Sequence, residues 1–396
     1  MRKNTGFGCG EGRSLAQTLS RSAGSRLVCV TAVISLLLTA GLLLALLGSG
    51  GTERVQVRAN ADVMDIFDMN LNDQVGTILE DVIPVKRSYW LSDSDLVAPE
   101  PNPESFGETR DPSSLTWLLE AGEDLLEGQS TLFTPETQIM EGTAVRYYLD
   151  DTILAITWKQ VVDDCVYTFS EVKIAHPSQF RRFLSEGRYN SGVLHTTTEM
   201  SESVNAVVAS SGDYYEYRSI GIVVNEGQVY RPLGRFLDTL FIDENGDFVF
   251  SYAGEIQDEE TAKRFVEENH VRFSLCFGPV MIRDGENCVP AMYNSGEINS
   301  RYARAAIGQL GQLHYVVVAA NMEEGHCLAP TVYQLAENLK AMGIPTAYAL
   351  DGGQTAAIVM NDQLINQVSY GSQREISDIV YFATAIPNSG ENEVGK

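Results

Sequence analysis

The chain has 396 residues, 44% of them apolar and 20% charged, a balance suited to one large or two ordinary globular domains with ample length for a core. With 53 acidic against 28 basic residues it carries a formal charge of −25. Such a surface repels nucleic acid and anionic lipid within a Debye length, so nucleic-acid binding is excluded as a function.

Residues 1–26 read as a cytoplasmic tail, with Arg2, Lys3, Arg13, Arg21 and Arg26 against a single acid, Glu11. Residues 27–48, LVCVTAVISLLLTAGLLLALLG, carry no charge over 22 positions. As a helix they would span roughly 33 Å, enough to cross a bilayer. A signal peptide has a shorter apolar core of about 7 to 15 residues, so the run is expected to be a retained signal anchor, although the Gly-Ser-Gly-Gly after Leu47 offers a cleavage site. Basic flanks stay in the cytoplasm. The expectation is therefore a single-pass protein of the cell membrane with its C-terminal part outside. That part keeps 23 basic and 52 acidic residues, a formal charge of −29. Its four cysteines, Cys165, Cys276, Cys288 and Cys327, allow three pairings or four free thiols. There is no C-x-x-C or H-E-x-x-H, and the five histidines are scattered, so no metal site and no cofactor is expected.

Residues 49–142 read as an acidic connector, because VAPEPNPESFGETRDP (97–112) has four prolines and no apolar periodicity; the short apolar pieces on either side of it, VIPVKRSYWL and SLTWLLEAGEDLL, are expected to dock on the main domain or form brief helices. The main domain is expected over 143–386, followed by a flexible tail, 387–396. In chain order, AVRYYL, ILAITWKQV and CVYTFSEVKIA predict strands. A helix is predicted after Pro177 (SQFRRFLSEG), then a strand at VNAVVAS. Hairpins follow at IGIVVNEGQVYR and at TLFIDENGDFVFSY, the latter turning on Asn245-Gly246. DENGD is a turn rather than a calcium loop, since its glycine is fourth and position twelve is Gly254. TAKRFVEENHV predicts a helix, and VRFSLCF, PVMIRDG and LHYVVVAAN predict strands. TVYQLAENLKAMG places Val332, Leu335, Ala336 and Leu339 on one helical face and stops at Gly343. TAYAL is a strand that delivers Asp351, and ISDIVYFATA is the last. The pattern predicts a mixed α/β (α+β) fold, with hairpin-rich mixed sheets and packed helices preceded by one N-terminal transmembrane helix.

Several strands end in polar, glycine-bearing turns: SSGDYYEYRSIGIVV, CFGPVMIRDG, RAAIGQ, YALDGGQTAAIVMND and SQREISDIVY. Taken in that order, they resemble the phosphodiester glycosidase family (the N-acetylglucosamine-1-phosphodiester alpha-N-acetylglucosaminidase-like domain). The matching pieces are Gly212-Asp213-Tyr214-Tyr215, Phe277-Gly278-Pro279, Arg304 with Ala306-Ile307-Gly308, Asp351-Gly352-Gly353, and Arg374 with Ser377-Asp378. They span roughly residues 145 to 385. The chain departs from the family at Ser211, at Ala349 and over Gln354 to Ile358, where hydrogen-bonding side chains are shortened or lost.

The resemblance implies hydrolysis of sugar-1-phosphodiesters, in envelope polymers or exopolysaccharide for an exported protein. Breaking the anomeric C–O bond passes through an oxocarbenium-like state, and the phosphate leaves as a stable anion. The reaction needs a carboxylate to activate water or trap the anomeric carbon, and cations to hold the phosphate. Asp351 and Asp213 are the expected catalytic carboxylates, with Arg304 beside them. Arg304 and Arg374 would clamp the phosphate through their planar donor forks. Tyr214 offers a flat face to a sugar ring, Gly352 and Gly353 would bring backbone N–H groups to the ligand, and Asp378 completes the substrate-binding set. The alternative is a catalytically inactive glycan-binding or scaffold module with the same pocket.

Overall fold

The computed structural model describes residues 90–92, 95–293 and 297–387. The expected cytoplasmic tail, the apolar run 27–48, the first part of the expected connector and residues 388–396 lie outside the described residues. No helix among the described residues is long and apolar enough to cross a membrane.

Strands dominate, with few helices. A nine-stranded sheet runs in the order Phe106–Thr109, Val145–Leu149, Ile153–Val162, Cys165–Ile174, His314–Asn321, Arg304–Gly311, Thr346–Leu350, Val280–Arg283, Glu286–Asn287. A five-stranded sheet orders Gln363–Leu364, Ile358–Met360, Val208–Ser211, Asp378–Phe382 and Phe180–Leu184. Smaller sheets of three and two strands complete the set. The fold is mixed α/β as expected, but the pairings seen in the large sheets are antiparallel.

The alternation of side chains explains why the central strands read as unbroken apolar runs. Ile153 and Ala155 point to one core, which they share with Val208, Ile358, Val380 and Phe382 of the five-stranded sheet. Leu154, Ile156 and Trp158 point to the other, closed by the helix Val332–Ala341. A strand with period-two geometry and cover on both faces buries every residue. The helix buries Val332, Leu335, Ala336 and Leu339, the face predicted from sequence, and Thr331 caps it together with Gln334. The DENGD turn closes the hairpin Thr239–Asp243 with Phe248–Ser251; Asp243 accepts from the Asn245 and Asp247 N–H groups at 2.9 and 2.8 Å. All four cysteines of the main domain are free thiols.

Two expectations fail. The segment SQFRRFLSEG is not a helix but the strand Phe180–Leu184, flanked by single 3₁₀ turns. Its arginines are buried rather than solvated. Arg181 reaches the Tyr381 hydroxyl and the Asp95 carbonyl, and Arg182 reaches Asp378. Buried partners in the neighbouring strand outweigh helical propensity. The connector boundary at 142 is too late, although SLTWLLEAGEDLL does form brief helices, Thr116–Ala121 and Glu123–Leu126, that dock on the main domain as expected. Phe106–Thr109 pairs with Val145–Leu149, and Leu115, Leu118 and Phe133 are buried in the core. Glu171, itself buried, accepts the Leu132 and Phe133 N–H groups at 2.8 and 2.9 Å and pairs with His314 at 2.8 Å.

Burial of Leu115, Leu118 and Phe133 contributes about 1.5–3 kcal/mol per side chain. A fragment beginning at residue 143 should therefore be at least roughly 5 kcal/mol less stable than one beginning at residue 90. Urea unfolding of the two fragments checks this, and equal midpoints would make the segment an appendage.

Candidate active site

Three strand ends meet at one point. Leu350 lies opposite Ala305 in the nine-stranded sheet, so the chain leaves that sheet at Asp351 beside Arg304. The five-stranded sheet contributes the end of Val208–Ser211. The Ser211 hydroxyl donates to the Asp351 carbonyl at 3.3 Å, and the Asp351 N–H donates to the Gly212 carbonyl at 3.4 Å. Ser211 thus ties the two sheets together.

A cavity of about 600 Å³ opens at this junction. Asp351, Arg304, Tyr214, Arg374, Gly352 and Gly353 line it, six of the eight residues singled out from sequence. Asp351 is 8% exposed, and one of its carboxylate oxygens is buried without a hydrogen-bond partner. Burial pushes its carboxyl up to about 7, against the opposing pull of Thr355, Arg374 and Arg218 and with a push from the charge of Asp213. An acid that changes charge near neutral pH, lining a cavity, is the usual mark of a chemical role.

The glycines serve the backbone. A Cβ at Gly352 would lie 2.7 Å from the Ala303 carbonyl oxygen. Gly353 takes φ +67°, and its N–H donates to that same carbonyl at 2.7 Å. The expectation that the Gly353 N–H faces a ligand is therefore corrected: it seals the turn that presents Asp351.

Asp213 and Asp378 do not reach the cavity. Asp213 is buried, and its oxygens accept the Tyr214 and Cys276 N–H groups at 2.6 Å each. Arg182 lies 3.8 Å from it and bonds Asp378 at 2.7 Å. Asp378 in turn accepts the Asp213 N–H at 3.0 Å. Burial would raise the Asp213 carboxyl, but Arg182, Arg218 and the Cys276 contacts hold it below the usual carboxylate range. With both oxygens occupied, neither acid is placed to touch a substrate. They form a buried brace behind the Tyr214 wall.

Arg304 is 6% exposed and bonds the Glu297 and Ser300 carbonyls at 3.0 and 2.6 Å. Burial pushes its guanidinium down to about 10, so it remains a cation at neutral pH. Sequence reasoning missed Arg218, although it lies in the quoted stretch SSGDYYEYRS. Its guanidinium sits 5.1 Å from the centres of both the Tyr214 and Phe277 rings. An arginine shortly after a run of tyrosines was the available signal. Ile220, Phe236, Leu237 and Phe277 supply an apolar side to the cavity, and Glu297 and Tyr302 also line it. Among the described residues, no group of three or more His, Cys, Asp or Glu side chains is placed to hold a metal ion.

Residues 204–383 match the phosphodiester glycosidase family model. The chain is 22% identical over 190 residues to the SPbeta prophage-derived uncharacterized protein YomE of Bacillus subtilis (strain 168), a match covering 46% of this chain and 29% of that protein. The chain thus spans under a third of that relative's length. Among solved structures it resembles the catalytic domain of zebrafish N-acetylglucosamine-1-phosphodiester alpha-N-acetylglucosaminidase auto-inhibited by its pro-peptide. That likeness has 16% identity and a TM-score of 0.49, and covers 66% of this chain and 93% of the other. A hypothetical protein from Synechocystis aligns at 13% identity and a TM-score of 0.44, covering 61% and 64%. Over residues 204–383 this chain carries a phosphodiester glycosidase domain.

Proposed function

We propose that the protein is a membrane-anchored extracytoplasmic hydrolase that releases sugar from sugar-1-phosphodiesters of an envelope polymer or exopolysaccharide. The observation that carries this reading is the Asp351 carboxyl, pushed up to about 7 by burial in a cavity that also presents Arg218, Arg304 and Arg374. With Asp213 and Asp378 behind the wall and the Glu297 side chain hydrogen-bonded to Tyr302, the carboxylate chemistry falls to Asp351. Ionised Asp351 takes a proton from water as the water oxygen bonds to the anomeric carbon. The anomeric C–O bond breaks, and its electron pair leaves on the phosphate oxygen. The products are the free sugar and a phosphate monoester. No acid is needed for so stable a leaving group, which fits a site where one buried carboxylate, Asp351, faces several cations.

The membrane location rests on residues 27–48 and their basic flank. Protease added to intact cells should digest the domain. Protection in intact cells would reverse the orientation.

Asp351→Asn keeps the shape and removes the base, so sugar release from a panel of sugar-1-phosphodiesters should fall about 10²–10⁴-fold in kcat. Because the base must be ionised, wild-type kcat/KM should rise as pH climbs through about 7. A silent Asp351→Asn in an active protein would remove Asp351 from the mechanism.

The same change should stabilise the fold, with a sign fixed by linkage. The Asp351 carboxyl lies near 3.8 when free and near 7 in the fold, so the folded state holds its proton longer. Stability is intact below about 4 and declines as pH rises through about 7. Asp351→Asn should therefore raise stability at pH 8 by up to about 4 kcal/mol, and far less at pH 4. Thermal melts at the two pH values check this; equal shifts at both would contradict a buried carboxylate.

A further inference from the structure

Three arginines, Arg218, Arg304 and Arg374, line the Asp351 cavity. Arg146, Arg182 and Arg283 each have an acidic partner. Arg218 and Arg374 feel the charge of Asp351, and Arg218 also that of Asp213, but among the described residues neither is in direct contact with a carboxylate. Aromatic faces hold them instead. Tyr214 and Tyr217 stack with centroids 4.6 Å apart and planes at 16°. Arg374 lies 4.7 Å from the Tyr217 ring and 5.6 Å from that of Tyr214. Arg218 lies 5.1 Å from both Tyr214 and Phe277.

A guanidinium has five N–H donors; Arg374 gives some to the Tyr214 and Tyr217 side chains, and those that remain in its plane can meet an anion. One Arg218 donor reaches the Cys276 carbonyl, at a long 3.4 Å. Arg304 differs: one of its terminal nitrogens bonds two carbonyls of the 297–300 turn, and the residue is buried. Its geometry is that of a wall fastening. The aromatic platform is itself fixed, since the Tyr214 N–H is anchored on buried Asp213 at 2.6 Å.

We propose that Arg218 and Arg374, carried on the Tyr214–Tyr217 stack, form a two-guanidinium subsite that takes the phosphoryl group of the substrate, while Arg304 shapes the wall beside it. This rests on the phosphodiester reading of the same cavity and assigns its anion-binding half. Two planar forks match the two non-bridging oxygens of a phosphodiester. The negative charge of Asp351 opposes an anion bound there, so removing that charge strengthens binding.

Sulfate, a dianion throughout the working pH range, tests the subsite without any turnover. Titration calorimetry on the full-length chain should show sulfate binding that Arg218→Gln and Arg374→Gln each weaken by about tenfold or more. Asp351→Asn should tighten it, and Arg283→Gln, outside the cavity, should leave it unchanged. If a variant fails to fold, the wild-type chain still answers. Sulfate should slow phenylglyoxal modification of Arg218 and Arg374, mapped by mass spectrometry, and leave Arg283 unprotected. Undiminished sulfate binding in Arg218→Gln, binding lost on Arg304→Lys alone, or no protection of Arg218 would each overturn the subsite. Sulfate bound as expected with no sugar-1-phosphodiester cleaved would sink the hydrolase reading and leave the subsite standing. Cleavage with an unchanged KM in Arg218→Gln would do the reverse.

Discussion

The buried guanidinium of Arg182 is the interaction on which the site depends. It comes from the strand Phe180–Leu184, bonds Asp378 in the adjacent strand, faces Asp213 after Val208–Ser211, and donates to the Ser274 carbonyl. Removing such charges from water costs several kcal/mol per ion, repaid only when every oxygen finds a donor. Here the two acids accept three backbone or guanidinium bonds at 2.6–2.7 Å and the Asp213 N–H at 3.0 Å. The network therefore acts as a rigid brace. It fixes the start of the Tyr214 loop, and with it the aromatic platform on one wall of the cavity.

The opposite wall illustrates a conflict between stability and chemistry. Asp351 is held by backbone contacts at the end of a strand, where one of its oxygens has no partner. That arrangement destabilises the ionised form, and it is also what gives the carboxyl a working range near neutral pH. Structural acids in the same molecule lack this feature. Glu171 and Asp213 each engage two backbone N–H groups.

The charge of the molecule adds a further constraint. An anionic ligand approaching a chain of net charge −25 is repelled until ionic screening or local cations dominate. Arg218, Arg304 and Arg374 provide those cations within a single cavity. Binding there is short-ranged, set by donor geometry and aromatic support more than by the field of the whole protein.

Much of this was legible in the linear chain. Period-two and period-3.6 patterns located the central strands and the helix Val332–Ala341 with its buried face. The spacing of Asp351, Gly352 and Gly353 marked a strand end with a sharp turn. The motif order identified six of the cavity residues and the family. Such features are local, because they arise from backbone geometry repeated over a few residues. What the chain alone could not decide was which polar groups face the cavity and which lie behind it. Asp213 and Asp351 look alike as sequence, each an acid beside glycine. They part only when Arg182, 31 residues before Asp213, and Cys276, 63 residues after it, fold back to occupy the oxygens of one and not the other. The same long-range contacts turned SQFRRFLSEG into a strand and drew the connector into the sheet. Burial of a charge depends on partners distant in sequence, and only tertiary structure supplies them.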